Sequence, residues 1–389
     1  MNILVLTWNY PPVVGGIEQV AHHTASGLRA RGHDVRVVAP ALPPDTPETA
    51  DPSIPVCRAR RKGIPRFLLH AVFAGGRLIR ESRPDVLLCP SLTSAPAAWI
   101  LSRRFRIPYA VQIHGSDILL PRRAYQLAIA PLLSGARMLF ANSRNTADLL
   151  IQRGLDPARI RVVCPGVTPP PPPSAQPSAE ILRLLEETSG RPTLVTVGRL
   201  IRRKGILEFI ARTLPLLRER IPDLLYLVVG GEAKASLIHQ ERIGRQLADA
   251  IRNGRHENHA KLLGRLSDAD LDRVYRRANL FILPCLDDPH DVEGFGIVIL
   301  EAALQGVPAV ATRCGGIPDA IADGATGVLV PPGDPRALAD ALADLLRDPA
   351  QMNKLGESAR RRTLAEFTWS AIAARYESGL RELIAAGSP

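Results

Sequence analysis

Two carboxylates eight positions apart bracket a glycine-rich start to an apolar helix in Val292-Glu293-Gly294-Phe295-Gly296-Ile297-Val298-Ile299-Leu300-Glu301. Gly294 and Gly296 remove side chains where backbone has to come close to a ligand. A helix beginning near Phe295 turns its unpaired N–H groups and positive dipole end toward an anion. Gly294, Phe295, Gly296 and Ile297 therefore form a candidate diphosphate seat. Glu301 falls about six residues into that helix, roughly 9 Å along its axis. There it can accept hydrogen bonds from a ribose while Glu293, at the mouth, meets a sugar. An acid near a helix start also occurs simply because the dipole favours it. Glu301, however, sits inside the apolar stretch Ile297–Leu304, where an unpartnered carboxylate is costly, so something must hold it.

The cations such an anion needs are close to another strand end. Gly198 closes the apolar run Thr193–Val197, Arg199 opens the next loop, and Lys204 precedes the next helix. Both cations then lie on the carboxyl edge of a parallel sheet, where ligands of this architecture bind. A basic loop exposed to water is the plainer alternative for Arg199–Lys204. His114, in His114-Gly115-Ser116-Asp117, follows the strand Tyr109–Ile113 and lies on the equivalent edge of the first half. Gly15-Gly16 follows the first strand and opens a helix, and would let backbone approach a bound molecule.

These positions require alternating strands and helices, and the chain reads that way. Apolar runs predict strands at Asn2–Trp8, Asp34–Ala39, Asp85–Cys89, Tyr109–Ile113, Arg137–Ala141 and Arg161–Cys164, with helices near Gly16–Arg31, Arg66–Ser82, Ala95–Arg104, Arg122–Leu133 and Asn145–Arg153. Thr168 and the proline run that follows cannot continue either element and mark a boundary. Six further strands are expected at Thr193–Val197, Leu224–Val229, Ala260–Leu263, Leu280–Leu283, Ala309–Ala311 and Val328–Val330. Helices at Pro335–Arg347, Met352–Phe367 and Ser370–Ala386 close the chain. The expected fold class is α/β, with two Rossmann-like doubly wound parallel-sheet domains facing across a cleft. The expected domains are 1–168, a proline-rich linker 169–178, 179–367, and a final helix, 368–389, crossing back to the first domain.

With 389 residues, 46% apolar and 22% charged, the composition is that of a globular protein with room for two cores. Five scattered cysteines form no metal or disulfide spacing, and the chain enters its first strand without an export-type segment. Both features point to a cytoplasmic protein with no transmembrane helix. The net charge of +11 is unevenly placed: residues 1–168 carry 21 Lys and Arg against 10 Asp and Glu, while 169–389 carry 28 of each. The clusters Arg58–Lys62, Arg103–Arg106 and Arg122–Arg123 suit an anionic phospholipid or a lipid-phosphate acceptor at the inner face of the cytoplasmic membrane, or are a solvated face. The low aromatic content, 4%, argues against a stacking nucleic-acid binder.

The combination of motifs resembles the family 4 glycosyltransferases, which are retaining enzymes of the GT-B fold. The resemblance is carried by Glu293-Gly294-Phe295-Gly296 through Glu301-Ala302, then Gly306-Val307-Pro308 and Gly315-Gly316-Ile317-Pro318-Asp319. Pro11-Pro12-Val13-Val14-Gly15-Gly16-Ile17-Glu18, Arg31-Gly32-His33-Asp34-Val35, His114-Gly115-Ser116-Asp117, Val197-Gly198-Arg199-Leu200, Lys204-Gly205 and Pro331-Pro332-Gly333-Asp334 agree with it. Asp319 stands where the family usually has a glutamate.

The resemblance implies that Arg199 and Lys204 neutralise the pyrophosphate of a UDP- or GDP-sugar, that His114 lies over the transferred sugar near its anomeric centre, and that Glu293 belongs to the catalytic set. It places Gly15, Gly16, Asp117, Gly198, Gly294–Ile297 and Glu301 around the substrate, with the first domain taking the acceptor and the second the nucleotide sugar. It further implies retention. Within that family the clustered positive charge and short length favour a lipid-linked or cell-surface glycan or glycolipid acceptor, as in lipopolysaccharide or polysaccharide biosynthesis, over a storage-polysaccharide or sucrose-type synthase. No cofactor beyond the donor co-substrate is expected. Asp287-Asp288 and Asp268/Asp270 suggest a metal, but the cations already present make one unnecessary. A nucleotide-sugar epimerase or hydrolase, and a non-catalytic nucleotide- or polyanion-binding module, are the competing classes.

Overall fold

The computed structural model describes residues 1–13, 15–42, 47, 51–169, 176–232 and 243–387. Val14 of the Pro11–Glu18 motif and most of the proline run lie outside the described residues. The chain divides into two compact units, Met1–Gly166 with Phe367–Pro389, and Val167–Glu366.

Among the described residues, the first unit carries a seven-stranded, all-parallel sheet. Its strands are β1 (Asn2–Leu6), β2 (Asp34–Ala39), β3 (Val56–Arg58), β4 (Val86–Cys89), β5 (Tyr109–Ile113), β6 (Met138–Ala141) and β7 (Ile160–Val162), in the order β3-β2-β1-β4-β5-β6-β7. Alternation along each strand sends side chains to opposite faces. Leu4, Leu6, Leu87, Val111 and Leu139 join the core under the helices Ile64–Ser82, Ala95–Phe105 and Arg123–Gly135. Ile3, Val5, Val37, Leu88 and Phe140 join a second core under the helices Gly16–Ala30 and Trp369–Ala385. A sheet buried on both faces explains why its strands read as unbroken apolar runs. The short strand β3 was not legible, because its three residues are only half-buried and form no run.

The helix Trp369–Ala385 is fastened by close packing and by charge. A Cβ on Gly27 would lie 2.6 Å from Cβ of Ala373, so the two helices meet where one residue has no side chain. Glu377 collects Arg31, Arg381 Nη2 at 2.7 Å and His33 Nε2 at 3.1 Å. Hydrogen bonds from Arg381 and Arg31 hold its carboxyl down at about 2. A depressed carboxyl stabilises the fold above its unfolded value near 4.5 and loses that contribution as pH falls toward 2. Acid titration of the wild type is expected to lower the melting temperature across that window, and Glu377→Gln to flatten the dependence there. An unchanged profile in the variant would contradict this assignment.

Among the described residues, the second unit carries a six-stranded parallel sheet of β8 (Thr193–Val197), β9 (Leu225–Val229), β10 (Ala260–Gly264), β11 (Leu280–Leu283), β12 (Ala309–Thr312) and β13 (Gly327–Val330), in the order β10-β9-β8-β11-β12-β13. Leu194, Tyr226, Leu280 and Val310 pack under the helices Ile243–Asn253 and Pro335–Arg347. Both sheets reverse their strand order once, between β1 and β4 and between β8 and β11. Such a reversal leaves a crevice at the strands' carboxyl ends.

Candidate active site

Two chain segments leave the carboxyl ends of β8 and β11 and lock together. After β8 the chain turns through Gly198, at φ +150°, and a short 3₁₀ turn, Arg202–Lys204, to Gly205 at φ +66°. After β11 it passes Pro284 and Cys285, and the N–H of Leu286 donates to the carbonyl of Arg203 at 2.9 Å. A Cβ on Gly205 would lie 1.8 Å from the Pro284 carbonyl oxygen. Gly205→Ala therefore adds a left-handed backbone strain of about 1–2 kcal/mol to a main-chain clash, and is expected to destabilise the unit by more than about 2 kcal/mol. Thermal unfolding checks this, and a wild-type melting temperature in the variant would contradict it.

Inside this junction Glu293 accepts on a single oxygen, Oε2, from Lys204 Nζ at 2.7 Å and from Arg203 Nη1. Arg203 also reaches Asp291, Nε to Oδ1, at 3.1 Å. The Cys285 thiol lies 3.8 Å from the same Glu293 oxygen. Burial by itself would raise the Glu293 carboxyl, but Lys204 and then Arg203 outweigh it and hold the group well below the usual carboxylate range. For Arg203 burial works against the charge, and Glu293 and Asp291 more than restore it. Arg203 is 8% exposed and Lys204 7%, which excludes a basic loop simply solvated at these two positions. Arg199 is exposed.

Glu293 is also fixed through its backbone. The N–H of Gly316 donates to its carbonyl at 2.7 Å. A Cβ on Gly315, at φ +53°, would lie 2.3 Å from that carbonyl oxygen. The Gly315-Gly316 pair after β12 is thus the surface against which the Glu293 main chain rests. Gly296, at φ +90°, then turns the chain into the helix Ile297–Leu304. The helix begins at Ile297 instead of near Phe295, because Gly296 takes the left-handed capping position. Glu301 is accordingly its fifth residue. Phe295 is 2% exposed, so its ring is buried in the fold. Burial raises the Glu301 carboxyl, while a hydrogen bond from the Tyr275 hydroxyl, 2.9 Å from Oε2, pulls it back. Tyr275 is the partner that Glu301 required.

Among the described residues no group of three His, Cys, Asp or Glu could hold a metal ion. Asp270, one of the acids considered for a metal, accepts instead from Ser178 N at 2.6 Å and Ser267 Oγ at 2.9 Å, tying helix starts together.

The first unit holds His114, Asp117, Gly15 and Gly16. The His114 ring donates from Nε2 to the Pro90 carbonyl at 2.7 Å, which links the ends of β5 and β4. The backbone N–H of His114 donates to Asp117 Oδ1 at 3.1 Å, and its carbonyl accepts from Asn142 Nδ2 at 3.2 Å. Burial raises the Asp117 carboxyl against the opposing pull of His114. At Gly15 the room left by the missing side chain is taken by the Glu18 carboxylate, which accepts from Asn9 Nδ2 at 2.7 Å.

Gly198, Lys204 and Glu293 thus come together within the second unit, with Glu301 on the helix Ile297–Leu304 that follows Glu293. Arg203, Asp291, Cys285 and Tyr275 joined the site without a sequence signal of their own. Only Arg203, beside Lys204 in a run of three basic residues, offered a hint.

Residues 15–166 match the family described as Glycosyl transferase 4-like domain, and residues 179–362 the family Glycosyl transferases group 1. The chain is 28% identical to a glycogen synthase of Mycobacterium tuberculosis (strain CDC 1551 / Oshkosh), over 96% of this chain and 92% of the relative. It is also 28% identical to a GDP-mannose-dependent alpha-(1-6)-phosphatidylinositol monomannoside mannosyltransferase of Mycolicibacterium smegmatis, over 98% of this chain and 99% of that one. The fold is similar to that of sucrose-phosphate synthase from Thermosynechococcus elongatus, with TM-score 0.80, 23% identity and both chains wholly covered. Two doubly wound parallel sheets, the family matches to both units and these relatives agree: the chain belongs to the family 4 glycosyltransferases, of group 1 type, and is a glycosyltransferase of the GT-B fold.

Proposed function

We propose that the enzyme moves a sugar, with retention, from a UDP- or GDP-sugar to a hydroxyl of a lipid-linked or cell-surface glycan or glycolipid. The observation that carries the donor assignment is the Lys204–Glu293–Arg203 cluster, built at the β8/β11 reversal beside the glycine-capped start of the helix Ile297–Leu304. Two carboxylates and two cations balance there. The attraction for a diphosphate therefore comes chiefly from the N–H groups of Gly294–Ile297 and from the helix dipole, with Arg199 assigned to the diphosphate as well and Lys204, oriented by Glu293, to the phosphate nearest the sugar. Glu301 takes the ribose, and His114 is assigned to the transferred sugar.

In the reaction the donor C1–O bond breaks and its electron pair leaves with the diphosphate. The acceptor oxygen bonds to C1 from the same face, and its proton passes to the departing phosphate oxygen. Catalysis is placed in fixed charges that meet the developing negative charge, so neither a metal nor a strong general base is required. The glycolipid acceptor is supported by the name of the mannosyltransferase relative and by the excess of arginine in residues 1–168.

Incubation of the protein with labelled nucleotide sugars, with and without lipid-linked acceptor and with chelator present, tests the assignment. The expected result is acceptor-dependent, chelator-resistant transfer. Epimerised or free sugar as the main product would overturn it.

A further inference from the structure

We propose that the outer face of the helices Ile64–Ser82, Ala95–Phe105 and Arg123–Gly135 is a docking surface for an anionic phospholipid bilayer. The three helices lie side by side on one face of the first unit's sheet, with Ala95–Phe105 in the middle packed against the other two. A helix covering a core normally turns charge outward, and these helices turn out both charge and bulk apolar groups. Leu69 and Phe73, one helical turn apart, are 60% and 71% exposed. Ile100 on the middle helix is 45% exposed, and Leu127 on the third is 76% exposed. Around Leu127 the exposed positions are Arg123, Ala124, Ala128, Ala130 and Pro131, with no acid in the whole helix.

Cations frame these side chains. Arg66 and Arg77 flank Leu69 and Phe73 on the same stripe, and Arg103 and Arg104 follow Ile100. The three helices together carry six arginines against one acid, Glu81, which lies 3.5 Å from Arg77. The exposed runs Arg60-Arg61-Lys62 and Arg122-Arg123 lead into the first and third helices.

A second copy of the chain is a poor occupant, since a two-fold contact through this face would set arginine against arginine. Apolar tips among arginines match a headgroup region, where the tips enter the acyl boundary and the cations meet phosphate. No helix among the described residues is long and apolar enough to cross a membrane, so the contact is with a surface.

Sedimentation with phosphatidylcholine vesicles, with and without about one-third phosphatidylglycerol, tests this without reference to catalysis. Binding is expected only to the anionic vesicles and is expected to fall steeply as salt rises from about 0.1 M to about 1 M. Leu69→Ser/Phe73→Ser/Leu127→Ser and Arg66→Gln/Arg104→Gln/Arg123→Gln are each expected to weaken it on the order of a hundredfold, with unchanged melting temperatures because all six positions are exposed. Equal binding to both vesicle types, or wild-type binding by either variant, would overturn the proposal. So would a vesicle-independent dimer that the serine variant dissociates, since it would make the face a contact between copies. Sugar transfer to a soluble acceptor should survive in both variants, which separates failure of this surface from failure of the donor site.

Discussion

Lys204→Met should leave a folded protein whose kcat for sugar transfer falls by about 10²–10³, the usual effect of removing one fixed charge or donor aimed at developing negative charge. The fold is expected to tolerate the change because Glu293 keeps Arg203 as its counter-ion, so no buried carboxylate is left unpaired. The loss belongs in kcat more than in KM, because Lys204 meets charge that grows as the diphosphate departs. Lys204→Arg should not restore activity. The lysine side chain passes close under Gly198, where a Cβ would sit 3.5 Å from Lys204 Cε, and a forked guanidinium does not fit the path of a compact ammonium. Steady-state kinetics, with circular dichroism to confirm folding, checks both variants. Full activity in Lys204→Met would remove Lys204 from the site.

Glu293→Gln should act on stability as well as rate. It takes away the carboxylate that both cations share and, among the described residues, leaves Arg203 paired with Asp291 and Lys204 without an ion-pair partner. Breaking a buried pair in this way costs about 3–5 kcal/mol. For a unit of this size that corresponds to a fall in melting temperature on the order of 10 °C. Arg203→Met combined with Glu293→Gln should recover part of the loss, since one of the stranded cations is gone. No recovery in the double variant would show that Glu293 stabilises by some route other than this pair. Because the Glu293 carboxyl is held so far below its ordinary value, acidification within the range the fold tolerates should not protonate it. Any acid limb in the pH profile must then come from another group.

These two variants also mark what the sequence could reveal. The doubly wound fold was legible because strands buried on both faces leave unbroken apolar runs, as in Thr193–Val197 and Leu280–Leu283, which fall where they were expected. Helix ends fell within a few residues, and the start at Ile297 moved only because Gly296 takes the capping position. The pairing inside the site was not legible. Arg203 and Lys204 meet Glu293 across about ninety residues of chain, and Tyr275 meets Glu301 from a different helix. Such contacts depend on which strands are neighbours, and no local pattern records that. Gly315-Gly316 was visible as a motif, but its physical task appears only when the Glu293 carbonyl rests on it.

The proposed function places the nucleotide sugar's diphosphate in the second unit, between Lys204 and the start of the helix Ile297–Leu304. A crystal structure with a bound nucleoside diphosphate or nucleotide sugar tests it most directly. Phosphate oxygens are expected about 3 Å from Lys204 Nζ and from backbone N–H groups within Gly294–Ile297. A diphosphate bound away from that turn, with Lys204 still committed to Glu293 alone, would contradict it.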